Sequence, residues 1–178
     1  TITDTVADVN AALAAVSFTP ATNYDEDTTI AVSIADGGEN GTVAVTGTIT
    51  LDVTAVNDQL SATNVTQTQT YTEGDASVAL DDIVVTDVDT GEMVTATLTL
   101  ADTSAGILTT SGSATYTVGT GVWTITDTVA DVNAALAAVS FSPATNYDQD
   151  TTIAVSIADG GENGAVAVTG TITLDVTA

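Results

Sequence analysis

The chain has 178 residues, of which 24 are acidic, and it contains no Lys, Arg, His or Cys, so its formal net charge is −24. This composition excludes disulfides and metal sites built on Cys or His. It also excludes nucleic acid and anionic membrane surfaces as partners, because no side chain can neutralise a phosphate. Apolar residues make up 44% of the chain, which predicts a folded protein rather than a disordered one.

The first predicted element is a short helix. Thr5 followed three residues later by Asp8 resembles a capping box at its start, and Pro20 ends the region. The helix has one apolar stripe, because its large apolar residues recur at spacings of three and four. They are Val6, Val9, Leu13 and Val16.

The rest of the chain is rich in Val, Thr and Ile, often in alternation, which is typical of β-strands. A hairpin is predicted from 28–36 and 42–55, because Asn40 and Gly41 between them tolerate the positive φ of a tight turn. Trp123, the single Trp, is expected in a core. The further predicted strands are 65–71, 77–86, 93–100, 115–118 and 122–126. Many short strands and one helix per repeat predict an all-β, Greek-key β-sandwich.

Residues 1–55 recur as residues 124–178, a period of 123 residues. The two copies differ only at Thr19/Ser142, Glu26/Gln149 and Thr42/Ala165. A fixed period indicates a tandem-repeat protein. We therefore expect 59–178 to be one complete repeat, and 1–58 to be the C-terminal half of a preceding repeat that ends in a Val-Asn-Asp linker. This predicts an array of further copies.

Several short stretches resemble a cadherin repeat. NYDEDTTIAVSIADGG, followed later by TGTITLDVTAVND, is similar to its C-terminal half. VVTDVDTG (84–91) is similar to the Asp-x-Asp-x-Gly segment of cadherins, and TYTEGD (70–75) to the segment with an early Glu, here Glu73. The chain also resembles the bacterial cadherin-like repeats of giant, calcium-dependent, RTX-type adhesins secreted by the type I route, and of extracellular matrix fibres such as those of biofilms. The resemblance implies a cadherin- or immunoglobulin-like sandwich at a cell surface or in a secreted matrix, with Ca²⁺ between repeats.

The acidic residues support Ca²⁺ independently, since this ion takes six to eight oxygen ligands. Acids two apart on an extended segment face the same side, and no Lys or Arg relieves their repulsion. Zn²⁺ and Cu²⁺ fit poorly without His or Cys. The alternative is that these are solvated acids in turns. The predicted ligands are Asp25, Asp27, Asn57, Asp58, Asp87, Asp89 and Asp159, with Glu73, Asp148 and Asp150.

The sequence thus predicts a structural or adhesive repeat of a long extracellular fibre, stiffened by Ca²⁺ at junctions between domains. Its expected partners are further copies of the repeat, with no nucleic acid and no membrane insertion. The alternative is a carbohydrate- or surface-binding module, in which the Thr-rich segments 66–72 and 95–99 bind a glycan or ice. We expect no enzyme activity, because the chain lacks His, Cys and Lys for acid–base or nucleophilic chemistry.

Overall fold

A computed structural model of the chain describes residues 1–37, 39–89, 91–160 and 164–177. The chain divides into two compact units, Thr1–Ala55 (unit 1) and Val56–Ala178 (unit 2). Gly38 and 161–163, in the loops of the two copies of the predicted hairpin, lie outside the described residues, as do Thr90 and Ala178. In the part of the chain that is described, no helix is long and apolar enough to cross a membrane.

Unit 1 contains the predicted helix and hairpin. Helix α1 (Val6–Ala14) begins after Thr5, whose hydroxyl accepts a hydrogen bond from the N–H of Asp8 at 3.3 Å, which confirms the predicted cap. Strands β1 (Thr28–Ile34) and β2 (Val45–Leu51) pair antiparallel, so the hairpin is confirmed as well. Asn40, in the loop between the two strands, has a φ of 55°, which is the positive φ predicted for it from the sequence.

Unit 2 is a β-sandwich with one helix, α2 (Val129–Ala137). Before the helix come β3 (Ser61–Thr63), β4 (Gln67–Thr72), β5 (Val78–Ala79), β6 (Val84–Thr86), β7 (Met93–Leu100), β8 (Gly106–Leu108), β9 (Thr115–Thr117) and β10 (Val122–Thr128). After it come β11 (Ser140–Pro143), β12 (Thr151–Ala158) and β13 (Val168–Thr177).

The larger sheet of unit 2 has the order β4-β13-β12-β7-β10-β9, and a smaller sheet has the order β5-β11-β8. From Val94 to Leu100, strand β7 alternates buried and half-buried residues, which is the period-two pattern of a strand with one face in a core. Residues of both sheets and of α2 belong to one apolar core, and the predicted core residue Trp123 is 0% exposed within it. The predicted all-β sandwich is therefore confirmed.

The strands predicted from the sequence need correction in two respects. The single strand predicted over 77–86 is wrong, because β5 pairs with β11 while β6 pairs with β3, in different sheets. Strands β3, β8 and β11 were not predicted at all. Strand β11 depends on its neighbours, since the corresponding segment of unit 1, 17–20, which differs only by Thr19 in place of Ser142, is not a strand.

Nearly identical sequences have different surroundings in the two units. In unit 2 the repeated segment contributes buried residues from α2, β10, β11, β12 and β13. In unit 1 no described residue is buried. Phe141, for example, is 0% exposed and stacks edge-on against Tyr71 with ring centroids 5.8 Å apart, whereas its counterpart Phe18 is 45% exposed.

We expect Phe141→Ala to lower the free energy of unfolding of unit 2 by about 3–5 kcal/mol, because it empties a closed core site. The matched change Phe18→Ala should alter it by less than about 0.5 kcal/mol, as for an exposed side chain. Denaturant titration followed by Trp123 fluorescence reports unit 2 alone. Equal losses in the two variants would show that Phe18 also contributes to the core of unit 2.

Candidate metal centre

The residues that open unit 2 lie against the loop after β6. The N–H of Asp58 donates a hydrogen bond to Oδ2 of Asp89 at 2.6 Å, and the N–H of Asp89 donates one to Oδ1 of Asp87 at 3.2 Å. All three acids are half-buried, and Asn57 precedes Asp58 in the chain. Two of the predicted groups, the linker pair and the Asp-x-Asp pair, are therefore brought together.

The end of β12 joins the same region. Asp159 is 9% exposed, and its Oδ2 accepts a hydrogen bond from the N–H of Leu60 at 3.4 Å. The side-chain amide of Gln59 makes two hydrogen bonds of 2.8 Å to the backbone of Val166, one to the carbonyl and one from the N–H. The sequence analysis assigned no role to Gln59 and missed these contacts. We call this region, residues 57–60, 87–89, 159 and 166, the entry end.

One carboxylate oxygen at the entry end has no donor. Oδ2 of Asp87 is closed off from solvent and accepts no hydrogen bond within the described residues. A buried acceptor without a partner costs about 1–3 kcal/mol, and more when it is charged. The chain has no Lys or Arg to pair with this carboxylate, and a bound cation would supply the positive charge. Carboxylate and amide oxygens are the ligands that Ca²⁺ prefers, so the donor chemistry fits that ion.

The acids are neighbours but do not form a closed coordination shell. Across residues 1–37, 39–89, 91–160 and 164–177, no group of three or more carboxylates is arranged to hold a metal ion. The side chains of Asp87 and Asp89 instead accept hydrogen bonds from the backbone N–H groups of Asp89 and Asp58. A shared ion would have to replace or supplement those bonds.

The remaining candidates of unit 2 lie where β13 ends. Oδ1 of Asp150 accepts a hydrogen bond from the N–H of Val176 at 2.9 Å, and the N–H of Glu73 donates one to the carbonyl of Thr177 at 3.1 Å. Asp148, two residues before Asp150, is exposed. We call this region, residues 71–73, 102–104, 147–150 and 175–177, the exit end. Glu73, Asp148 and Asp150 are therefore not brought together with Asp58.

Unit 1 repeats the local geometry of the exit end. Oδ1 of Asp27 accepts a hydrogen bond from the N–H of Val53 at 2.8 Å, the counterpart of the bond between Asp150 and Val176. Asp25, two residues before Asp27, is half-buried. The predicted convergence of Asp25 and Asp27 with the linker acids stays a prediction.

Asp102 and Tyr147 add a polar cluster at the exit end. Hydrogen bonds lower the pKa of Asp102. The largest effect comes from the Ser104 hydroxyl, followed by the Ser104 N–H and the Tyr147 hydroxyl. Burial, followed by the hydrogen bond to Asp102, raises the pKa of Tyr147. A lowered pKa means that the ionised Asp102 stabilises the fold above its unfolded-state pKa and that this contribution is lost as the pH falls through its folded-state pKa. Asp102 therefore keeps its negative charge to a more acidic pH than an ordinary Asp side chain.

No known protein family matches the chain, and no curated protein is recognisably similar to it. Among solved structures, the human desmocollin-1 ectodomain is similar over 85% of this chain and 27% of that one, at 14% identity and a TM-score of 0.37. The chain thus spans about a quarter of that ectodomain. This is a distant likeness, and the assignment of a β-sandwich stands on the strand pairing described above.

Proposed function

We propose that the chain is a structural repeat of a long extracellular, adhesive fibre in which Ca²⁺ stiffens the junctions between successive repeats. The observation that carries this proposal is the position of the acids, which lie at the two opposite ends of unit 2 where the chain enters and leaves the sandwich. Neither end contains a positive side chain.

The separation of the two ends follows from the direction of β13. Its first residue, Val168, lies next to the entry end through the contact of Val166 with Gln59, and its last, Thr177, lies at the exit end. Nine steps at about 3.3 Å per residue place these ends about 30 Å apart. Copies joined end to end would therefore extend as a rod rather than fold back on one another.

In such a rod, the exit end of each repeat is followed in the chain by the entry end of the next. The entry end would offer Asn57, Asp58, Asp87, Asp89 and Asp159, and the exit end Glu73, Asp148 and Asp150, with Asp25 and Asp27 as the copies of the last two in unit 1. A bound Ca²⁺ would supply the positive charge that these carboxylates lack. The chain's own residues hold these carboxylate oxygens in place, above all through the hydrogen bond from the backbone N–H of Asp58 in the linker to Asp89.

This function needs no enzyme activity. The partners are further copies of the repeat, and the location is the cell surface or a secreted matrix. Specific recognition at the tip of such a fibre would belong to other domains.

We expect chelation of Ca²⁺ to lower the melting temperature of the full chain, by an amount that corresponds to about 2.7 kcal/mol per site at a hundredfold excess over the dissociation constant. Asp58→Ala should reduce the calcium-dependent part of the stability most, because its side chain lies in the linker. Calcium titration by calorimetry measures the affinity of each variant. Thermal unfolding with and without chelator measures the calcium-dependent part of its stability.

The matched control is Glu26→Gln, which copies the natural Gln149 of the other repeat. It should leave calcium affinity unchanged, and without Ca²⁺ both variants should unfold within about 0.5 kcal/mol of the parent chain. Identical melting temperatures with and without chelator, or equal loss of affinity in the two variants, would contradict the proposal.

A row of hydroxyls on the large sheet favours a carbohydrate-binding module as a second candidate. The register aligns five hydroxyl residues on five adjacent strands, with a hydroxyl distance of 3.5 Å between Thr97 and Thr124. The row is Thr169, Ser156, Thr97, Thr124 and Thr115. Strands lie about 4.8 Å apart, so the row offers regularly spaced donors and acceptors to a polysaccharide.

If the row binds sugar, Thr97→Val with Thr124→Val should abolish retention on insoluble polysaccharide while leaving calcium-dependent stability intact. Thr48→Val, on the exposed face of β2, is the control. Parent protein that is not retained on any polysaccharide tested would exclude this second candidate.

A further inference from the structure

Unit 1 has an open apolar groove between α1 and the β1–β2 hairpin, with a volume of about 1050 Å³. Its lining includes Ile2, Leu13 and Ile34, which are 46%, 43% and 48% exposed. Large apolar side chains exposed together around one groove are typical of an interaction surface. The question is what covers it.

Unit 2 provides the answer, because it contains the same surface with its cover in place. The counterparts Ile125, Leu136 and Ile157 are 2%, 5% and 0% exposed. The cover is the segment 56–123, whose strand β7 pairs with both β10 and β12, and whose strand β4 pairs with β13. From this segment, the core takes Leu60, Tyr71, Val78, Ile83, Val85, Val94, Ala96, Leu98, Leu100, Ala105, Leu108 and Trp123.

We infer that the apolar face of unit 1 is the docking surface for a second copy of the segment 56–123. On docking, a β7-like strand would pair with β1, and a β4-like strand would pair with β2. The helix and hairpin of unit 1 would then become the second half of a complete sandwich. Unit 1 already has the register this requires, since β1 pairs with β2 as β12 pairs with β13, residue for residue.

The segment 56–123 of the same chain cannot serve. In a completed sandwich, Gln59 contacts the backbone at the start of the last strand, as it contacts Val166 in unit 2. Residue 55 would lie at the other end of that strand, about 30 Å away. The four steps from residue 55 to residue 59 reach at most about 14 Å. The segment must therefore come from outside this chain's 56–123.

A glycine gives the docking surface a specific test. In unit 2 the backbone of Val65 packs directly on Gly170, so that a Cβ there would lie 2.1 Å from the Val65 carbonyl oxygen. The counterpart in unit 1 is Gly47, where a Cβ would meet nothing within 4 Å. Gly47→Ala is therefore harmless to unit 1 by itself and obstructs the docked segment.

This inference deepens the proposed role of further copies as partners but does not depend on Ca²⁺, so the test is run in chelator and its outcome is separate from that of the calcium experiment. The full chain, labelled with ¹⁵N, is refolded together with an excess of unlabelled polypeptide 56–123. We expect a one-to-one complex by sedimentation, and amide chemical shifts of 1–55 that move to those of 124–178. If the free segment aggregates, a chain with residues 56–123 placed directly before Thr1 decides, because the junction with Trp123 then repeats that of Trp123 with Thr124.

Gly47→Ala should reduce the docked fraction at least about tenfold, as expected for an added methyl in a closed contact. The control Thr48→Ala, whose counterpart Thr171 is exposed in unit 2, should dock like the parent. The inference is overturned if the shifts of 1–55 do not move in either format, if Gly47→Ala docks as well as Thr48→Ala, or if 1–55 already has the shifts of 124–178 in the chain without added segment.

Discussion

The structure depends on one strand, β7, which pairs with β10 on one side and with β12 on the other. Strand β7 comes from the unique segment 56–123, while β10 continues into the repeated segment and β12 lies wholly within it. Apolar burial is the main favourable term in folding, and here it requires both segments at once. Without β7, the helix and the hairpin keep their local hydrogen bonds but bury no residue, as the described part of unit 1 shows.

Charge is the second constraint. A chain with 24 acidic residues and no Lys, Arg or His cannot form internal side-chain ion pairs, so its carboxylates must bind backbone N–H groups, hydroxyls, water or cations. Asp27 and Asp150 bind the backbone near the end of the last strand of each unit, and Asp89 binds the linker through the N–H of Asp58. The acids thus order the two ends of the sandwich, where we propose that Ca²⁺ acts.

Local signals in the sequence predicted local structure well. The cap of Thr5 and Asp8, the hairpin around Asn40 and the strand β7 are each encoded by a few adjacent residues. Elements whose formation depends on distant partners were missed or wrong, as with β11 and with the single strand predicted over 77–86. The grouping of Asp58 with Asp89 followed from reasoning about the linker. The placement of Glu73 at the exit end requires the parallel pairing of β4 with β13, which no local pattern reveals.

The central claim is that the segment 56–123 alone determines whether the repeated sequence is folded into a core. Amide hydrogen exchange of the full chain tests it most directly, because β1 and β12 have the same sequence and the same hairpin partner. We predict that amides of β12 exchange at least about a thousandfold more slowly than their counterparts in β1, since only β12 opens through unfolding of the core. Equal protection in the two strands would contradict the account.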